Sequence, residues 1–216
     1  MITFKQLNNF PKTIHKQERY LIMKFNSFYS TIITFIFVLG LSGCANIPSH
    51  VIVAPDIIMT PAISYHNKQV QLDVIDMRTA SHVVQIMREG EAATLIPAQE
   101  RLEYTIKNNL SKHWQEQGLV INNSTSNTIN TINISIEKAI ISVSQETMEY
   151  TAQTEITLKV TVNNGSQTLT STFNNRGNSD GPLQADIAVL ERNFNQRLAN
   201  LLQQILANKK ISDFFK

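Results

Sequence analysis

The chain has 216 residues, 42% hydrophobic and 17% charged, a globular composition that excludes a disordered or fibrous protein. Its formal charge of +2 is unevenly spread: Lys5, Lys12, Lys16, Arg19 and Lys24 stand against Glu18 in residues 1–43, which leaves 44–216 with a balance of −2. A near-neutral body without a clustered basic face excludes nucleic acid as a partner.

The first element is "FYSTIITFIFVLGL", Phe28 to Leu41, 14 residues without a charge. A membrane-spanning helix needs about 20 apolar residues, so this run has the length of a signal-peptide core, preceded by a basic region and followed by Ser42 and Gly43. The 27 residues before it exceed what a signal peptide needs, whereas Met23-Lys24 would begin a conventional one, and Met23 is the expected translation start. Leu41-Ser42-Gly43-Cys44 resembles the lipobox of bacterial lipoprotein precursors. That resemblance implies diacylglyceryl transfer to the Cys44 thiol, cleavage before Cys44 and acylation of the freed amine. Acyl chains contribute about 0.8 kcal/mol per buried CH₂, so several chains on one residue anchor it durably. Ala45 stands where an Asp would resemble an inner-membrane retention signal, which points to the outer membrane with the domain facing the periplasm.

Residues 44–67 carry Pro48, Pro55 and Pro61 and read as an extended tether. Its apolar pieces, "VIV" and "DIIM", leave two readings open, a free linker or an edge strand docked on the domain. A single domain is then expected over 68–216. "QVQLDVIDM" alternates Val70, Leu72 and Val74 as a half-buried strand, and "HVVQIM" is a candidate to pair with it. Pro97 is expected to open a helix whose stripe runs through Leu102, Ile106, Leu110 and His113 or Trp114, stopped by Gly118 before a strand at "LVI". After an Asn-rich loop, "INISIEKAIISVS" places Ile132, Ile134 and Ile136 on even positions but Ile141 and Val143 on odd ones. That parity switch predicts a β-bulge near 137–139 or a bent strand.

"YTAQTEITLKVTVNNG" holds strict alternation through Ile156, Leu158, Val160 and Val162, and its Asn-Asn-Gly at 163–165 predicts a hairpin into "SQTLTSTFNN". Pro182, after Asp180-Gly181, is read as the start of a helix with Ile187, Leu190, Phe194, Leu198, Leu201 and Ile205 on one stripe. The terminal "ISDFF" is expected to dock on the domain. Together these elements predict an α+β fold, a two-layer sandwich of a mostly antiparallel sheet with two amphipathic helices on one face.

In combination, the LSGC box, "DMRT" at 76–79, "LSKHWQEQGLVI" and "LQQILANKKISDFF" make residues 44–216 similar to the YajG-type family of uncharacterised bacterial lipoproteins. The resemblance implies an outer-membrane-attached periplasmic domain, and it implies neither an enzymatic activity nor a ligand.

Chemistry is sparse in the residues themselves. His50, His66, His82 and His113 are scattered without metal-ligand spacing, and no G-x-S-x-G or phosphate-binding glycine loop occurs, so no catalytic residue, metal or cofactor is expected. Asp73 and Asp76 are three apart on a strand and point to opposite faces. Arg78 is either the same-face partner of Asp76 closing the strand end or a ligand-binding arginine. Trp114 is either core or a rim aromatic for a partner. The Thr-rich strands are either solvated faces or an edge for strand addition. The expected function is a membrane-tethered binding or adaptor domain of the cell envelope, not an enzyme, with an envelope protein as partner. The alternative is a carrier or sensor of a small envelope ligand such as a lipid or muropeptide. Cys44→Ser is expected to leave the precursor uncleaved and without acyl mass, which intact-mass measurement of the membrane fraction checks.

Overall fold

The computed structural model describes residues 48–58, 60–122 and 130–215. The leader, Cys44 and most of the Asn-rich loop lie outside the described residues. In chain order the elements are β1 (Gln69–Asp76), β2 (His82–Arg88), β3 (Thr94–Pro97), α1 (Leu102–Glu116), β4 (Val120–Ile121), β5 (Thr131–Gln145), β6 (Glu149–Asn163), β7 (Thr168–Pro182), α2 (Ile187–Leu206) and the short α3 (Lys209–Phe214).

The sheet is organised around β5. One edge of β5 pairs along its whole length with β6, antiparallel, and β6 pairs in turn with β7. The other edge is shared end to end: β1 pairs in parallel with the first half (Gln71 opposite Thr131 to Asp76 opposite Ile136), and β2 in parallel with the second half (Val84 opposite Ile141 to Arg88 opposite Gln145). β4 extends the β1 side in parallel and β3 the β2 side antiparallel. The result is a curled, mixed, half-barrel sheet rather than the mostly antiparallel two-layer sandwich expected from sequence. The reason is connectivity. The chain crosses from β1 to β4 through α1, and a helical crossover returns a strand parallel to its neighbour. β1 and β2 do not pair with each other as anticipated; they are collinear on one neighbour.

The parity switch in β5 is a bulge. Pairing with β6 shifts register between Ile136 and Lys138, which leaves Glu137 unmatched and exposed. Ile132, Ile134 and Ile136 before it and Ala139, Ile141 and Val143 after it therefore all turn inward. They meet Ile156, Leu158, Val160 and Val162 of β6 and the apolar stripes of both long helices, including Leu102, Ile106, Leu110 and Trp114 of α1 and Phe194, Leu198 and Leu201 of α2. α1 lies over β1 and β4, α2 over β6 and β7, and the two helices touch. The hairpin at 163–165 is present, with Gly165 at φ 88°, and Ile211 and Phe215 bury the C-terminal tag.

Two boundaries differ from the sequence reading. Pro97 ends β3 instead of opening α1. β7 continues through the Asn- and Gly-rich residues to Pro182, and α2 starts at Ile187 under an Asp186 cap whose carboxylate accepts from the Ala188 N–H at 2.8 Å. Two glycines make room there. A Cβ on Gly177 would stand 2.0 Å from the Arg197 guanidinium, and one on Gly181 would stand 2.8 Å from the Tyr150 ring.

Of the two tether readings, the docked one describes residues 51–57. Val51, Val53 and Ile57 are core residues. Val51 bridges beside Ala98, donating to the Pro97 carbonyl and accepting from the Gln99 N–H. Side chains of α2 complete the pairing: Glu191 accepts from Ile52 N–H at 2.7 Å, and Asn195 both accepts from Ala54 N–H and donates to the Ile52 carbonyl. Deleting Glu137 would turn Ile141 and Val143 outward, and urea denaturation is expected to show a stability loss of about 3–6 kcal/mol. Glu137→Gln, which keeps the bulge, should stay within about 0.5 kcal/mol of the wild type.

Candidate functional site

Arg78 lies in the segment that carries the chain from β1 to β2 along the same edge of β5. Its side chain is 7% exposed, and its five N–H groups are all engaged. Nε donates to Asp76 Oδ1 at 2.9 Å and Nη2 to Asp76 Oδ2 at 2.8 Å and, at 3.4 Å, to the Ser81 carbonyl. Nη1 donates to the carbonyls of His82 and Ala139 at 3.1 and 3.0 Å. The guanidinium thus ties the end of β1 and the start of β2 to β5 just past the bulge. It is a structural buckle with no donor left for a ligand. Burial pushes the Asp76 carboxyl up, but the hydrogen bonds and charge of Arg78, with Arg101 further away, outweigh it and hold the group below the usual carboxylate range.

Trp114 is fully buried, so its ring presents no rim to a partner. It packs beside Tyr65, whose phenol burial pushes up to about 12 against a smaller opposing pull from the Trp114 N–H. Their polar atoms and the Gln117 Oε1 form no hydrogen bond of regular geometry. Nearby, the Thr60 hydroxyl joins His113 Nδ1 and Glu116 Oε2, each at 2.6 Å, fastening the later tether to α1.

A depression of about 1180 Å³ lies at one end of the sheet between Met87, Glu89, Glu91, Glu146, Met148 and Glu149. Gln145 closes its floor, donating to the carbonyls of Glu146, Glu149 and Leu183 and accepting from the Ala185 N–H. Among the described residues no three His, Cys, Asp or Glu side chains converge as a metal cage would require. Between sheet and helices the space is filled by Trp114, Phe194, Ile134, Ile136, Ile156 and Leu201.

The remaining feature is an edge. β7 has β6 on one side and, among the described residues, no strand on the other. At the ends of this ladder Leu183 N–H donates to the Met148 carbonyl and Asn164 N–H to the Gln167 carbonyl. Bonded and open positions alternate in an antiparallel pair, so odd-numbered residues of β7 bond β6 and even-numbered ones turn their backbone outward. Pro182, even-numbered and lacking an N–H, fits this parity. The edge is 15 residues long, about 50 Å. Its even side chains, mostly Thr and Asn, are exposed, while Leu169 and Phe173 lie inward. The outward face carries a charge ladder across three strands: Lys138 Nζ to Glu155 Oε2 at 3.1 Å, and Arg176 Nε to Glu155 Oε1 at 2.8 Å. Lys138 first, then Arg176, hold the Glu155 carboxyl below its usual range. Sequence reasoning missed this ladder, although the hairpin register at Asn163–Thr168 already sets Glu155 opposite Arg176.

These features describe an α+β domain with an open backbone edge on β7. The chain belongs to the YajG family: the family model described as "uncharacterized lipoprotein" matches residues 55–216. No curated protein matches it. Among solved structures it is similar to protein XCC0632 of Xanthomonas campestris, of the DUF330 family, at 12% identity and a TM-score of 0.53 over 76% of this chain and 96% of that one. It is also similar to a neuraminyllactose-binding hemagglutinin homolog from Helicobacter pylori, at 10% identity and a TM-score of 0.44 over 76% and 96% of the two chains. At such identities the first likeness concerns the fold.

Because the folded-state pKa of Asp76 is depressed, the unfolded chain binds more protons as pH falls towards 4 and below. The stability that the Asp76–Arg78 pair contributes is therefore complete above the unfolded carboxylate range and lost as pH drops through the folded value. Urea denaturation at stepped pH is expected to show this acid-side loss in the wild type and a smaller one in Asp76→Asn. Arg78→Ala should cost about 2–4 kcal/mol near neutral pH by leaving Asp76 and three carbonyls without their donor.

Proposed function

We propose that this protein is a binding or adaptor domain of the bacterial cell envelope, anchored by acyl chains on Cys44 after removal of residues 1–43. It is held at the outer membrane facing the periplasm, and it takes an extended segment of an envelope protein along the free edge of β7. The outward-facing backbone of β7 carries this reading. Long open edges are pairing templates that proteins normally blunt with lysines, bulges or a covering element. β7 has no lysine, pairs with β6 without a register shift and turns its even-numbered backbone groups away from β6, the Arg176 carbonyl being met by Arg197. Strand addition draws affinity from main-chain hydrogen bonds and specificity from alternate side chains, and it requires neither a deep cavity nor a cofactor. The filled space between sheet and helices favours this surface over the carrier or sensor reading.

A photo-cross-linking amino acid placed at Thr172, on the exposed face of β7, is expected to trap one envelope protein in intact cells expressing the lipidated chain. The same group at Lys112 on α1 should not. Thr172→Pro removes an outward N–H where an edge strand tolerates it, and in a variant cross-linking from Thr170 it should abolish the product while thermal unfolding changes little. Equal trapping from Lys112, or trapping unaffected by the proline, would count against the edge.

A further inference from the structure

The charge ladder across β5, β6 and β7 reads plus, minus, plus and stops at the open edge on Arg176. The next strand should present an acid there, since opposite charges across a ladder favour pairing and like charges oppose it. β7 itself holds such an acid. Asp180 is on the same exposed face as Arg176, four residues on, and has no ion-pair partner among the described residues. Resting on the edge reading above, we propose that a second copy of this chain occupies the later half of β7. The two strands run antiparallel about a two-fold axis through Asn178, so that Arg176 of each copy lies across from Asp180 of the other.

An isologous contact requires one surface to complement itself, with opposite features placed symmetrically about the axis. Arg176 and Asp180 stand two residues either side of Asn178. Asn178, Arg176 and Asp180 are all even-numbered, so each turns its N–H and C=O outward, as the bonded pairs of such a junction need. Axes through Arg176 or Asp180 would bring like charges together. On the inner face the same register sets Gly177 against Ser179 and Asn175 against Gly181, so each inward pair contains a glycine. Arg197 already reaches this edge. Its guanidinium lies over Gly177 and donates to the Arg176 carbonyl at 3.3 Å, an oxygen whose second lone pair remains for the Asp180 N–H of the other copy. The hairpin-proximal half, 168–173, is left for a different partner.

The test uses the full lipidated chain in membranes. With an axis at Asn178 the two Cα atoms at that position lie about 5.5 Å apart, within disulfide range. Residues at 172 would be about 40 Å apart. Asn178→Cys is expected to give at least tenfold more disulfide-linked homodimer than Thr172→Cys or the wild type, all of which share Cys44. Adding Asp180→Arg to Asn178→Cys should lower the yield at least tenfold, with thermal unfolding unchanged because both positions are exposed. Equal yields from positions 178 and 172, or a yield indifferent to Asp180→Arg, would overturn self-pairing. If the Thr172 photo-cross-linker still traps another envelope protein in that case, strand addition stands and only the second copy is wrong; if it traps none, both readings fall.

Discussion

A strand that pairs with β6 along one edge and with two collinear strands, β1 and β2, along the other must bend if both halves are to stay on one core. β5 meets this constraint by inserting Glu137. The extra residue reverses parity and bends the strand, and five isoleucine, alanine and valine positions on either side stay inward together with Ile136. The bend also divides the opposite edge in two, one half for β1 and one for β2. The chain leaves the sheet between them, and Arg78 fastens that departure to the Ala139 carbonyl. The bulge, the split edge and the buried guanidinium are one solution to one geometric problem.

Much of this was legible because local periodicity survives in the folded state. The even-to-odd switch named the bulge, Asn-Asn-Gly named the hairpin, and the stripe from Ile187 to Ile205 named α2. Strand direction was not legible. Val70, Leu72 and Val74 alternate in the same way beside a parallel or an antiparallel neighbour, so the pairing of β1 with β5 depends on the crossover through α1. The last third of β7 was hidden for a different reason. Asn, Gly, Ser and Asp are poor strand formers, and their extended state is imposed by the register of β6 and by contacts with Arg197 and Tyr150.

The candidate site shows the same division. The Thr-rich strands suggested strand addition, but being an edge is a property of sheet order and not of any residue. Arg78 and Trp114 attracted attention as residue types that often bind ligands, and the fold spends one on backbone carbonyls and the other on the core. Glu155 and Arg176 needed only the hairpin count to be paired; Lys138 needed the bulge as well.

The docked tether gives the domain a mechanical character. Tension applied through the residues preceding Val51 would not reach the sheet through a slack linker. It would enter at a bridge beside Ala98 and pass through the Glu191 and Asn195 side chains into α2. Extraction would have to drag Val53 and Ile57 out of the core. Two residues beyond Asn195, Arg197 grips β7 at Asn175 and Arg176, so a strain path that enters at Val51 ends on the open edge.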